Sequence, residues 1–240
     1  MAEGITATPL GTTSSGLEAF IASGIIIGTA SANPGAGSTS AALAVANNEF
    51  FEFTITPPPG SKLNFAALVF EASRGGASTP RGWVVRSSVD GFGSDLATGE
   101  IPNQFPTLTP YSAVLPAADF TGIPAPVTFR IDSFVPASGE VVLYDNIQVL
   151  GLIDRPPVVS IHSPSKVHTS ARHFKLNGVA FDDVAVDSVR ANGKLLKGTN
   201  VWKTRIKLRK RVTKVRVVAT DSAGLQSQPA KVKIIRTAAN

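Results

Sequence analysis

Glycine and proline interrupt this chain so regularly that they leave no room for a long helix. Pro57-Pro58-Pro59-Gly60 closes one aromatic stretch, and Asp90-Gly91 and Asn192-Gly193 are dipeptides typical of tight hairpin turns. Between such points apolar and polar residues alternate with a period of two, and no long stretch follows the helical period of about 3.6 residues. The sequence therefore predicts an all-β protein made of short strands.

The predicted strands fall into two groups. The first group comprises residues 49–56, 63–72, 82–89, 111–115, 127–134 and 140–150. The second group comprises residues 158–162, 174–181, 188–191, 201–208, 212–219 and 231–235. Alternation places Trp202 on an apolar strand face, which predicts that it is a core residue. The first group is typical of a jelly-roll β-sandwich and the second of an immunoglobulin-like β-sandwich.

Charge divides the chain at about the same place. Residues 1–150 hold 5 Lys and Arg against 12 Asp and Glu, a net charge of −7, whereas residues 151–240 hold 18 against 5, a net charge of +13. The change coincides with Pro156-Pro157, a pair that stiffens the backbone. We expect an acidic domain over residues 1–150, a linker over 151–155 and a strongly basic domain over 156–240.

The composition excludes several kinds of site. The chain has no cysteine, so it can have no disulfide, thiolate nucleophile or thiolate metal site. It contains neither a Gly-x-Ser-x-Gly elbow nor a phosphate loop nor a His-Glu-x-x-His motif. No apolar stretch is long enough to span a membrane as a helix. We therefore expect no catalytic residues and no enzyme activity.

Four motifs of the first half resemble a jelly-roll domain common in exported PEP-CTERM-type proteins of Planctomycetes and Verrucomicrobia. They are FEFTITP at residues 51–57, RGGASTPRGW at 74–83, VRSSVDGF at 85–92 and YDNI at 144–147. The resemblance covers about residues 20–150 and implies a bacterial protein exported to the cell surface or beyond. Jelly-roll carbohydrate-binding modules often hold a structural Ca²⁺ through a carboxylate of the terminal strand. The resemblance therefore suggests Asp145, with Glu52, as ligands of a structural calcium ion.

Three motifs of the second half resemble bacterial immunoglobulin-like repeats, which occur in adhesins and as spacers beside secreted glycosidases. They are PVVSIHSP at residues 157–164, LNGVAFDD at 176–183 and ATDSAG at 219–224, and the resemblance covers about residues 156–236. Acidic positions of these repeats are matched by Asp182, Asp183, Asp187 and Asp221. Asp182, Asp183 and Asp221 lie beside predicted turns, so local hydrogen bonding explains these carboxylates better than a second calcium site does.

Aromatic side chains decide whether the first half can bind carbohydrate, because sugars stack on exposed rings. The candidate ligand-binding residues are Trp83, Tyr111 and Tyr144, together with Arg81 beside Trp83 at the start of a predicted strand. Packing in the core is the alternative for each ring.

Cations alternate with apolar residues along two predicted strands of the second half. Their polar faces hold Lys203, Arg205, Lys207, Lys214 and Arg216, and Arg209 lies between the strands. A solvated face normally mixes both signs of charge, so this unmixed run indicates an anionic partner such as a polysaccharide or a cell-envelope polymer. The pattern disfavours nucleic acid as a partner, since few aromatics interleave with the cations and no known nucleic-acid-binding motif is present.

These patterns favour an extracellular, non-catalytic binding or adhesion protein that engages carbohydrate or an anionic surface. Two alternatives remain open. In the first alternative, the chain is a self-assembling subunit of an extracellular filament or surface layer, and its oppositely charged halves associate head to tail. In the second, it is the accessory non-catalytic region of a secreted glycoside hydrolase.

Overall fold

The computed structural model describes residues 6–7, 11–12, 30–32, 38–74, 81–104, 106–134 and 142–238. Strands dominate these residues, and the prediction of an all-β protein is confirmed. The chain divides into two compact units, Met1–Ile153 and Asp154–Asn240. Within the described ranges, no helix has both the length and the apolar character needed to cross a membrane.

The described strands of the first unit form two sheets. They are β1 (Thr6–Ala7), β2 (Gly11–Thr12), β3 (Ala30–Ala32), β4 (Phe50–Thr56), β5 (Lys62–Arg74), β6 (Gly82–Ser87), β7 (Ala97–Glu100), β8 (Thr109–Val114), β9 (Val127–Phe134) and β10 (Val142–Asp154). The six-stranded sheet has the order β1-β4-β9-β6-β7, with β2 also paired to β4, and the four-stranded sheet has the order β3-β10-β5-β8. Helices α1 (Ala41–Asn47) and α2 (Ala117–Phe120) and a 3₁₀ turn (Ser88–Asp90) connect the strands.

The core of the first unit lies between its two sheets. Alternate residues of β4 are buried, which places Phe51, Phe53 and Ile55 on one face. Phe51 meets Tyr144 of β10 with ring centroids 5.4 Å apart, and Phe53 stacks on Phe129 of β9 at 5.7 Å. The period-two pattern of the sequence thus supplies the inward face of a sandwich.

Strand β10 runs through most of the predicted linker. It continues to Asp154, which is only 2% exposed. The linker predicted over residues 151–155 is therefore wrong for residues 151–154, which belong to the strand. At Gly151 a Cβ atom would collide with the backbone oxygen of Asn64 and lie 3.0 Å from Cα of Phe65. This glycine therefore marks a close approach between strands and not a flexible joint.

The second unit also has two sheets. Its strands are β11 (Val158–Ile161), β12 (Lys166–Thr169), β13 (His173–Phe181), β14 (Val186–Ala191), β15 (Lys194–Leu195), β16 (Val201–Lys207), β17 (Val212–Asp221) and β18 (Ala230–Arg236). The three-stranded sheet has the order β11-β13-β16, and the five-stranded sheet has the order β12-β18-β17-β14-β15. All pairs are antiparallel except β12 with β18, which are parallel.

Trp202 organises the core of the second unit. It is fully buried, which confirms the sequence prediction, and it packs with Leu176 and Val217. Its indole lies over Gly178, where any Cβ atom would collide with the ring. The hairpin predicted at Asn192-Gly193 is also confirmed, because both residues have positive φ, at 48° and 82°, as a primed turn between β14 and β15 requires.

Candidate binding and metal sites

Three of the four predicted ligand-binding residues are buried in the first unit. Trp83 is 3% exposed, and Arg81 and Tyr144 are 0% exposed. Trp83 meets Phe70 edge-on with ring centroids 4.9 Å apart, and the hydroxyl of Tyr144 shares a 2.8 Å hydrogen bond with that of Ser133. Burial also raises the pKa of Tyr144. The prediction is wrong for these three residues, because side chains this large are taken up by the core and offer no face to a ligand.

The fourth residue, Tyr111 on β8, lines an open groove on the four-stranded sheet. The groove has a volume of about 560 Å³, and its polar lining consists of Glu71, Tyr111, Ser112, Asn146 and Gln148. The Tyr111 hydroxyl donates to the carbonyl oxygen of Glu100 over 2.9 Å, and burial raises its pKa, so the phenol stays protonated at neutral pH. Nδ2 of Asn146 donates to Oε2 of Glu71 over 2.6 Å. Such a mixture of amide, carboxylate and hydroxyl groups can hydrogen-bond sugar hydroxyls.

The two predicted calcium ligands do not come together. Glu52 points outward from the six-stranded sheet, where its Oε2 accepts a 3.0 Å charged hydrogen bond from Nε of Arg130. Asp145 points outward from the four-stranded sheet, and its Oδ1 accepts from the backbone N–H of Asn146 over 2.7 Å. The prediction of a shared site at Glu52 and Asp145 is therefore wrong, because the two side chains point outward from opposite sheets of the sandwich.

The predicted cations lie on two different faces of the second unit. The three on β16, which are Lys203, Arg205 and Lys207, project from the three-stranded sheet, whereas Lys214 and Arg216 on β17 project from the five-stranded sheet. Arg209 is exposed in the connection between these strands. All six are exposed as predicted, but they form no single run, because consecutive strands in the chain belong to opposite layers.

The basic face of the five-stranded sheet is built from cations on three adjacent strands. Lys166 of β12 is opposite Lys233 of β18, which is in turn opposite Lys214 of β17, and the next row pairs Lys231 with Arg216. Neighbouring strands lie about 4.8 Å apart, so the first row forms a line about 10 Å long. We call these five residues the lysine-row face. The carboxylates on the strands of this sheet are Asp187 and the buried Asp221, both near the end of β17 away from Lys214.

Three members of the lysine-row face, Lys166, Lys231 and Lys233, are not among the cations predicted from the sequence. The alternation Lys231-Val232-Lys233 lies within a predicted strand and would have placed both lysines on one polar side. Lys166 carried no such signal. Its position depends on the parallel pairing of β12 with β18, which joins residues 67 positions apart and leaves no local pattern.

The outward face of the three-stranded sheet has a basic half and an apolar half, and we call it the mixed face. Its basic half pairs Lys175 with Arg205 and His173 with Lys207. Its apolar half consists of Val158, Val179, Phe181 and Val201. Phe181 and Val201 are 62% and 73% exposed. The mixed face therefore offers fewer adjacent cations than the lysine-row face.

Three aspartates of the second unit form a cluster. One carboxylate oxygen each from Asp154, Asp182 and Asp221 lies within 4.8 Å of the others, and this is the one group of three or more metal-ligating side chains found in the described ranges. Asp154 and Asp221 are each 2% exposed, and Asp182 is half-buried. The sequence pattern predicts turn roles for Asp182 and Asp221 and gives no signal for Asp154, which lies in the predicted linker.

Comparison with known proteins gives distant similarities. No protein-family model and no curated protein matches the chain. The fibronectin(III)-like modules of Clostridium thermocellum CbhA are 22% identical, with a TM-score of 0.29 over 35% of this chain and 100% of theirs. A β-1,2-glucanase from Parabacteroides distasonis is 12% identical, with a TM-score of 0.30 over 99% of this chain and 37% of its own. The adhesin domain of Epf from Streptococcus pyogenes is 11% identical, with a TM-score of 0.27 over 89% of this chain and 78% of its own. These similarities assign no family.

Proposed function

We propose that the protein is an extracellular, non-catalytic binding protein whose second unit holds an anionic polysaccharide on the lysine-row face. The observation that carries this proposal is the line of Lys166, Lys233 and Lys214 on three adjacent strands. Like charges directly opposite one another across strands are destabilising. A bound polyanion would offset that repulsion, so the face would be more stable with an anionic ligand bound than with water alone.

A polysaccharide with sulfate or carboxylate groups matches this face because it presents negative charges along an extended chain. The sheet fixes the strand positions of the five cations, so a ligand meets a row of charges and not a flexible basic tail. Binding of this kind releases counterions and is screened by salt. The affinity should therefore fall steeply as salt concentration rises.

We also propose that the first unit is a jelly roll of the exported type and that the second is an immunoglobulin-like domain. The motifs at residues 51–57 and 144–147 support the first assignment, and the motifs at 176–183 and 219–224 support the second. The arrangement of each unit as two facing sheets is consistent with both. A location outside the cell follows from these assignments.

The proposal is tested by calorimetric titration with heparin, as a sulfated polysaccharide, and with neutral dextran, at about 50 mM and about 200 mM salt. One variant changes Lys166, Lys214 and Lys233 together to Glu. The matched control changes Lys203, Arg205 and Lys207 of the mixed face to Glu, which alters the net charge equally. We expect the first variant to lose at least about tenfold more affinity for heparin than the control.

Equal losses in the two variants would contradict the proposal, because they would show that net charge alone drives binding. A single-stranded oligonucleotide of matched charge is the third ligand, and binding as tight as that of heparin would contradict a polysaccharide as the ligand class. Dextran binding that survives both triple substitutions would instead direct attention to the groove beside Tyr111.

A further inference from the structure

The aspartate cluster of the second unit is assembled from three separate parts of the chain. Asp154 is the last residue of β10, Asp182 follows the end of β13, and Asp221 is the last residue of β17. Their nearest carboxylate oxygens lie within 4.8 Å of one another. Three anionic groups this close repel one another strongly when they are removed from water.

Local turns hold two of the carboxylates in place by one oxygen and leave the other oxygen unused. Oδ2 of Asp182 accepts hydrogen bonds from the backbone N–H groups of Val184 and Ala185, at 3.1 and 2.8 Å. Oδ1 of Asp221 accepts one from the N–H of Leu225 at 2.8 Å. The second oxygens, Oδ1 of Asp182 and Oδ2 of Asp221, are buried and have no hydrogen-bond partner within the described part of the chain.

Asp221 provides the stronger of these two observations. Its side chain is 2% exposed, so water does not reach it freely, and no Lys or Arg of the described ranges forms an ion pair with it. A buried carboxylate oxygen without a partner is costly, and native proteins rarely keep one without a compensating group. The turn therefore accounts for Oδ1, whereas Oδ2 lacks a compensating group among the described residues.

We propose that Asp154, Asp182 and Asp221 bind one Ca²⁺ ion. An all-oxygen, anionic donor set is the set that hard divalent cations prefer, and Ca²⁺ accepts oxygens at about 2.3–2.6 Å. Two oxygens bound to one such ion are at most about 5 Å apart, which matches the spacing in the cluster. Backbone carbonyls and water complete the six to eight ligands that the ion takes. This inference is independent of the proposed polysaccharide binding.

Such an ion would join three parts of the second unit that are far apart in sequence, namely Asp154 at its start, the end of β13 and the end of β17. The folded state would bind it and the unfolded chain would not, so the ion would stabilise the fold by mass action. The same carboxylates would repel one another when the ion is removed. Calcium would therefore act here as a structural link and take no part in any reaction.

The experiment measures Ca²⁺ binding to the full chain by equilibrium dialysis, and thermal unfolding in CaCl₂ and in EDTA. We expect one ion per chain from this site, and an unfolding transition of the second unit that moves to higher temperature in CaCl₂. Asp221→Asn should abolish both effects and leave the EDTA-treated protein at least as stable as the wild type, because it relieves repulsion. The matched control is Asp187→Asn, an exposed aspartate on β14, which should change neither.

Three outcomes would overturn the proposal. One is an unchanged unfolding curve and no bound ion in the wild type at millimolar CaCl₂. Another is an equal loss of binding in Asp187→Asn. The third is full retention of binding and of the calcium response in Asp221→Asn. If Asp221→Asn fails to fold, Asp182→Asn provides the same test, since Asp182 is half-buried and tolerates change more readily.

Discussion

Asp132 shows how one residue of the first unit can carry a pH dependence. It lies on β9, is 3% exposed, and its Oδ2 has no hydrogen-bond partner among the described residues. Burial raises its pKa to about 6, although the nearby Arg86 and Arg130 act in the opposite direction. The carboxyl group is therefore neutral in mildly acidic solution and becomes a buried anion as the pH rises.

We predict that Asp132→Asn stabilises the first unit at neutral pH. The folded-state pKa is above the unfolded value, so the wild type loses stability as the pH rises from about 4 to about 6. The difference between pKa values of 3.8 and about 6 corresponds to about 3 kcal/mol of unfolding free energy. The asparagine variant should regain this stability above about pH 6. Chemical denaturation between pH 4 and pH 7.5 measures the effect, with exposed Asp119→Asn as the control. A variant less stable than the wild type at pH 7.5 would contradict it.

Single elements show where local sequence patterns are sufficient and where they fail. Strands with strict alternation were predicted almost to their ends, as with residues 49–56, found as Phe50–Thr56, and 127–134, found as Val127–Phe134. The short strand Lys166–Thr169 was missed, because four residues show no clear period and their partner lies far away in the chain. Long-range pairing also decides the candidate sites, since it assembles both the lysine-row face and the aspartate cluster.

At this scale we predict that Lys233→Glu stabilises the five-stranded sheet. The new carboxylate would stand opposite Lys166 on one side and Lys214 on the other, which turns two repulsive pairs into attractive ones. The free energy of unfolding should rise by about 1 kcal/mol in low salt and by less in high salt. Urea denaturation at both salt concentrations measures the change in unfolding free energy. The control is Lys194→Glu on β15, because Lys194 stands opposite the uncharged Ala191 of β14. An equal gain in unfolding free energy in the control would contradict the prediction, because it would show that the lower net charge causes the stabilisation.

The whole molecule combines two units of opposite charge. The first carries −7 and the second +13, so copies of the chain can attract one another. Individual surface ion pairs contribute only about 0–1 kcal/mol, and the Debye length is about 8 Å at about 0.15 M salt. Such attraction is therefore weak and reversible unless apolar contact is added to it.

We predict that the full chain associates in low salt and dissociates at about 0.15 M salt. Sedimentation velocity at several protein concentrations measures the change. The variant with Lys203, Arg205 and Lys207 changed to Glu should associate less, because its second unit carries less positive charge. A monomer at every salt and protein concentration would contradict self-association and leave the cations to a foreign polyanion.

The parallel pairing of β12 with β18 has a mechanical consequence. These strands lie near the start and near the end of the second unit, side by side from Lys166 opposite Lys233 to Thr169 opposite Arg236. Tension applied to the two ends of the unit would pull the strands past each other along their length. The hydrogen bonds between them would then be loaded together in shear and would not open one after another. Flowing liquid would stretch a molecule that is held by one unit while a ligand pulls on the other. The paired strands β12 and β18 would then resist the stretching force.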